Sequence, residues 1–433
     1  MEFKIKGKYK RKIQLIQHQR YVLRKLLKRK HIRKRRLKKH YSAQKQEYVS
    51  PVFPFLNKAG FLISHNHYES TVYLDIPKVF CLSKKPDESI AFLKLLYSLL
   101  MDPMITEICF NHFNCTYMGI CASTIMDIIV MECIKYRNSN NIDTTLSGIV
   151  KHGKVSDSYE VDSLVKMSGL LKHLNIYKGV IQNSENLNLI KNESSSYVAE
   201  KSIDYINRSL KRHGYSLTKL GRNHFGNFFG EIVDNCSLHG GDNAIWYTIG
   251  HYTYDEKAQL GKCKLCILDF GDTIYESLKY HSNQRLLKRM NHYFKKTWSF
   301  SSKRDEETLF PLFSLQQRVS RIIDKDSVRG NGTVTYIESF LDLFNTSIKK
   351  YKSVLSITSG KCSVLFDGKY RLQNISYKNG YVNKIIAFNE NNNLYEEPDG
   401  NYVRHLNNSF PGTVISMDLY IDSKYLQRSI SNG

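Results

Sequence analysis

Residues 231–241 read Glu-Ile-Val-Asp-Asn-Cys-Ser-Leu-His-Gly-Gly, and the interpretation of the chain turns on them. They close an apolar-periodic run that predicts a helix from about Thr218 to Leu238. On a helix the i, i+4, i+8 spacing brings Glu231, Asn235 and His239 to one face. Such a stripe admits two readings. One is a solvent-facing polar strip on a surface helix. The other is a site for a divalent ion and a water molecule, because hard Mg²⁺ prefers oxygen ligands and keeps its own waters. An Asn carbonyl can then hold the ion while a carboxylate orients and deprotonates an attacking water.

Working outward, about thirty residues later the segment KCKLCILDFG (262–271) predicts a strand ending in Asp269-Phe270-Gly271. An Asp at a strand terminus can accept a hydrogen bond from an exocyclic amine such as that of adenine. The following Gly lets a ligand approach the backbone. Further on, Arg329-Gly330-Asn331-Gly332-Thr333 leads into an expected helix from about Thr333 to Phe344. A Gly-x-Gly before a helix N-terminus can cradle phosphate with backbone N–H groups and the helix dipole. Pro411-Gly412-Thr413 then opens a last strand through Tyr420. A first helix from about Ser202 to His213 and a strand from Ala244 to Tyr252 complete the half.

This order of pieces resembles the GHKL ATP-binding superfamily, named for gyrase, the ninety-kilodalton heat-shock chaperone, histidine kinases and MutL, over roughly residues 200 to 425. The resemblance implies a Bergerat-type fold, an α+β two-layer sandwich within the α/β class, with ATP and Mg²⁺ as cofactors. It implies that Glu231 is the general base, that Asn235 binds Mg²⁺, and that Asp269 reads adenine with Gly271 beside it. Gly330 and Gly332 match the second phosphate-binding glycine box, and Thr413 matches the threonine that supports adenine through water. The span from about 273 to 329 becomes the lid over the nucleotide. Its bases Lys303, Arg304, Arg318, Arg321 and Arg329 are then candidates for the γ-phosphate. In this family hydrolysis is slow and times a conformational change, often homodimerisation.

Two departures stand out. Thr273 occupies the second glycine of the family's D-x-G-x-G box, which implies a stiffer lid hinge, and Asp272 adds a negative charge near the nucleotide. No His in the chain is followed by Glu, which disfavours a histidine kinase's autophosphorylation helix. The leading expectation is therefore a stand-alone ATPase or ATP-operated switch. A serine/threonine-kinase-like protein acting on an unknown protein partner is a further alternative.

Upstream, residues 46–195 alternate short apolar runs with helical ones. Strands are expected at Ser70–Ile76 and Ile105–Phe110, and helices from Pro86 to Met101 and from Ala122 to Lys135. The pattern resembles the half-wound units of STAS-type regulatory domains. The polar stretch NSENLNLIKNESSS (183–196) predicts a linker, giving domains at 1–45, 46–195 and 196–433.

Composition bounds the rest. With 433 residues, 41% hydrophobic and 12% aromatic, the chain has material for a large core. No segment reads as a membrane span or secretory leader, and nine irregularly spaced cysteines suggest reduced thiols, so a cytoplasmic address is expected. The net charge of +24 is uneven: residues 1–40 hold 18 Lys/Arg and one acid, Glu2. From Gln14 to His40 this arm predicts a basic N-terminal helix, and residues 4–40 can neutralise nucleic acid or another polyanion, or stay a solvated tail. A rival function is therefore a nucleic-acid-binding protein whose ATP site is regulatory or vestigial. Cys263 and Cys266, with i, i+3 spacing in an expected strand, read as core. Cys109, Cys115 and Cys121 with His112 do not match common zinc spacings.

Overall fold

The computed structural model describes residues 48–65, 69–167, 169–170, 184–212, 214–241, 243–256, 258, 260–298, 306–316, 319, 332–343, 352–376 and 382–422. The basic arm, Gly330, Arg329 and the lid bases Lys303, Arg304, Arg318 and Arg321 lie outside these residues.

The segment 262–271 contains no alternation of apolar and polar residues after Lys264, the mark of a strand covered on both faces. It forms β8 (Leu260–Phe270), the middle strand of a five-stranded sheet with β6 (Ser184–Lys191), β7 (Ile245–Asp255), β12 (Val403–Asp422) and β9 (Val354–Phe366) in the order β6-β7-β8-β12-β9. Every pairing is antiparallel. Along β8, Cys263, Leu265 and Ile267 enter one core while Cys266, Leu268 and Phe270 enter the other. Cys263 and Cys266 thus face opposite sides as buried core residues.

One face is covered by α5 (Ser195–Lys211), α6 (Lys219–His239) and α10 (Gly332–Leu343). The α6 residues Phe225, Phe228, Phe229, Ile232, Val233 and Cys236, at helical spacing, pack into this core with Tyr336, Ile337 and Phe340 of α10. Thr218 caps α6, its side chain accepting from the Gly221 amide.

The other face is covered by the N-terminal residues, which turn the expected two layers into three. Here β1 (Thr71–Asp75), β3 (Glu107–Asn111) and β5 (Thr145–Gly148) form a parallel sheet, with α2 (Pro86–Met101) and α3 (Ile120–Ser139) as the crossovers that parallel pairing needs. A short parallel pair, β2 (Val79–Phe80) with β4 (Tyr117–Met118), and helices α1 (Phe53–Lys58) and α4 (Tyr159–Met167) complete the layer. Its core is continuous with Ile245, Tyr247, Ile249, Cys266, Leu268 and Phe270 of the large sheet. Arg137 of α3 is fully buried, and its guanidinium donates to the carbonyls of Leu100, Asp102, Ile105 and Asp143 and to the Thr144 hydroxyl, tying the ends of α2 and α3 to the starts of β3 and β5.

Polar contacts cross this second interface. Tyr117 donates to Asp418 (2.6 Å), Lys264 Nζ donates to the Met118 carbonyl (3.0 Å), Lys262 pairs with Glu160, and Arg404 donates to the Ser83 carbonyl (2.8 Å).

Two expectations are corrected. The stretch expected to be a linker contains β6, the edge strand of the large sheet, so the structural boundary does not fall at 195. Its residues Glu185, Asn186, Asn188 and Lys191 are partly or wholly exposed, as an edge strand allows, and that polarity is what made it read as a loop. The span 273–329, expected to be one long polar lid, contains α7 (Ile274–His281), α8 (Gln284–Trp298) and α9 (Glu306–Ser314). These pack around their own core of Leu278, Leu286, Met290, Tyr293, Leu309, Phe310 and Phe313.

Candidate functional site

Strand alternation dictates where Asp269 points. Odd-numbered residues of β8 face the α5–α6–α10 layer, so a carboxylate is driven beneath α6 at the end of an otherwise apolar strand. Asp269 is 2% exposed. Its register partners are Trp246 on β7 and Thr413 on β12. The Thr413 amide donates to Oδ1 (3.2 Å), and the Cys236 thiol hydrogen-bonds the same carboxyl. Among the described residues no cation lies beside it. Burial pushes the carboxyl up to about 8, against the downward pull of the Thr413 amide and the Cys236 thiol, while Asp272 nearby adds to the rise. Burial and the neighbouring carboxyl also push the Cys236 thiol far above its ordinary value.

Backbone crowds closely around this group. Gly412 has φ +105°, and a Cβ there would lie 2.2 Å from the Asp269 carbonyl and 2.6 Å from Oδ1. A Cβ on Gly271 would lie 2.3 Å from the Gly240 carbonyl, at the end of α6. Gly240 also accepts from the Asp272 amide (2.8 Å), so the helix end and the strand end are locked together by main chain.

Thr413 is oriented by a residue that sequence reasoning missed. Ser359 of β9 donates to the Gly412 carbonyl (2.8 Å) and accepts from the Ile274 amide (2.8 Å). Its single proton is thereby committed, so across their 3.1 Å contact Thr413 Oγ1 is the donor and Ser359 the acceptor. The Thr413 oxygen keeps its lone pairs for a further donor. Cys236 was likewise missed as a partner of Asp269. Its one sequence signal is its place on the buried stripe of α6, beside Asn235.

Of the expected stripe on α6, the side chains of Glu231 and Asn235 lie among the described ones. Glu231 is exposed and Asn235 half-buried, on the flank of the helix next to the buried residues; His239 is the last residue of α6. Partial desolvation, and then the charge of Asp234, raises the Glu231 carboxyl above its ordinary value. Gly332 lies at the first turn of α10, which packs on α6 through the edge-to-face pair Phe228–Tyr336. The structure thus brings Asp269, Gly271 and Thr413 into direct proximity, with Glu231 and Asn235 on the helix that covers them.

Both departures from the D-x-G-x-G pattern have structural explanations. Thr273 is the N-cap of α7: its side chain accepts from the Glu276 amide, and Glu276 reaches back to the Thr273 amide. Asp272 does not stand as an unbalanced charge, since Lys58 lies 3.7 Å and His281 3.2 Å from its carboxylate.

Among the described residues no group of three or more His, Cys, Asp or Glu side chains could hold a metal, and no helix is long and apolar enough to cross a membrane. Two cavities of about 410 and 480 Å³ lie elsewhere, one between Lys84–Glu88 and Val403–Leu406, the other between α5 and α6 around Asp204 and Arg222. No protein-family model, curated protein or solved structure matches this chain.

Proposed function

We propose that the chain is a Mg²⁺-dependent ATP-binding switch of the GHKL type that hydrolyses ATP slowly, with the five-stranded sheet and α5, α6 and α10 as its Bergerat-type core. The observation that carries this reading is the Asp269 carboxyl, buried with no cation beside it among the described residues, held by one amide and one thiol, and packed close to Gly271 and Gly412, where a side chain would strike main chain. A buried carboxyl with no counter-charge is costly to the fold unless a ligand uses it.

In this reading Asp269 accepts a hydrogen bond from the exocyclic amine of adenine. Thr413, its proton committed to Ser359, accepts from a water that bridges to the same ring. The phosphates would lie toward the first turn of α10, which Gly332 opens. Asn235 is the residue whose side-chain oxygen would hold Mg²⁺. This fits a site with no clustered protein ligands, because Mg²⁺ commonly binds through one or two protein oxygens plus phosphate. When bound, the ion would supply charge neutralisation on the phosphates. Glu231, its carboxyl raised by partial desolvation, takes the proton of the attacking water.

Glu231→Ala tests the catalytic part. ATP should still bind, while phosphate release falls about 10²-fold or more. Unchanged turnover would reject Glu231 as the base.

A further inference from the structure

The helix α8 (Gln284–Trp298) carries Arg285, Lys288, Arg289, His292, Lys295 and Lys296 and no acid. All six are exposed. At spacings of three and four they fall on a single stripe. The opposite stripe, Leu286, Met290, Tyr293 and Thr297, is buried, with the first three in the core shared with α7 and α9.

We propose that this stripe is a binding surface for double-helical nucleic acid, gripping the phosphate backbone without reading bases. The inference is independent of the ATP-site reading and of the N-terminal arm. Three observations choose the partner. First, the apolar face of α8 is already used in the protein core, so the helix has nothing to insert into a lipid interface and offers a charged face only. Second, of the helix's aromatic residues with described side chains, Tyr293 is buried and Phe294 half-buried, so neither of these two is presented as a stacking platform for unpaired bases. Third, the acids of the adjoining α9 are engaged elsewhere, Glu306 by Lys279 and Glu307 by Lys361, which leaves the field of the stripe positive. Arg289 and Lys296 lie over the rings of Phe313 and Tyr395, which steadies two of the cations at fixed positions. Fifteen helical residues make a rigid rod about 22 Å long, enough to follow several phosphates.

The test is fluorescence anisotropy of a labelled DNA duplex of about 20 base pairs with the full chain at several NaCl concentrations. The variants are a triple one, R285Q/K288Q/K295Q, and a charge-keeping one, R285K/K295R. The triple variant should bind at least tenfold more weakly, with the salt slope reduced by about 2–3. The charge-keeping variant should bind like wild type, and circular dichroism should show both folded. Equal affinity and slope in the triple variant would overturn the proposal and leave the N-terminal arm as the only polyanion site. Loss of binding to phosphatidylserine vesicles with duplex binding intact would overturn it in favour of a membrane surface.

Discussion

The two faces of the five-stranded sheet are both buried, yet they treat charge in opposite ways. On the face toward the N-terminal layer the polar groups that cross the joint are paired, Tyr117 with Asp418, Lys262 with Glu160, Ser163 with His251, and Lys264 with a carbonyl, while deeper in that layer Asp127 Oδ1 and both ring nitrogens of His112 are buried with no hydrogen-bond partner among the described residues. On the face toward α6, Asp269 meets only an amide, a thiol and glycine backbone. Matched groups fix one packing of two layers, because separating them strands polar atoms. A carboxyl left without a counter-charge stabilises nothing by itself, and glycine backbone packs directly against it. The first face therefore reads as a permanent joint, the second as a place for a ligand.

The sharpest way to break this comparison is to attack the joint's own scaffold. Arg137→Met strips donors from two buried and two part-buried carbonyls and should cost on the order of 3 kcal/mol or more. Because the N-terminal core runs into β7 and β8, chemical denaturation of this variant should remain a single transition at a lower midpoint. A second, unshifted transition for the large sheet would show that the layers are separate domains.

The unmatched carboxyl makes a pH prediction. Its folded-state pKa, about 8, lies above the unfolded value of about 3.9. The native state therefore keeps a proton that the unfolded chain has lost. The stability this group contributes is present below about pH 4 and disappears as pH rises through 8. Asp269→Asn has no such proton, so the stability of wild type relative to this variant should fall by up to about 1.4 kcal/mol per pH unit across that window. A constant difference would mean that the carboxyl is already ionised in the folded protein.

At the joint, Tyr117→Phe leaves a buried Asp418 oxygen without its donor and should cost about 1–3 kcal/mol without altering nucleotide affinity. A change in affinity would show that the two faces are coupled. The smallest effect expected is that of Thr273→Ala, about 1 kcal/mol from the loss of the α7 cap.

These contrasts were unevenly legible in the sequence. Helix α6 and strand β8 were readable because their apolar periods are long, and the pairing of Thr413 with Asp269 follows once β8 and β12 are seen as neighbours. Strand β6 was lost to its own polarity, since an edge strand exposes alternate side chains. The helices of 273–329 read as a basic stretch because charge masked the narrow stripe of Leu286, Met290 and Tyr293. At the site, Ser359 had no sequence signature and Cys236 only its place on the buried stripe of α6: a thiol on a helix and a hydroxyl in a strand acquire their roles from the groups that packing sets against them. The closure of the sheet's second face was equally hidden, because its contacts join residues about 300 positions apart, such as Tyr117 and Asp418.

The central claim is that Asp269 is a ligand-reading group, and calorimetric titration of the full chain with ATP, with and without Mg²⁺, tests it most directly when wild type is set beside Asp269→Asn. Mg²⁺-dependent binding by wild type, weakened about 100-fold or more in a variant that is still folded, is the expected result. Binding of equal strength by both proteins, or by neither, would contradict it.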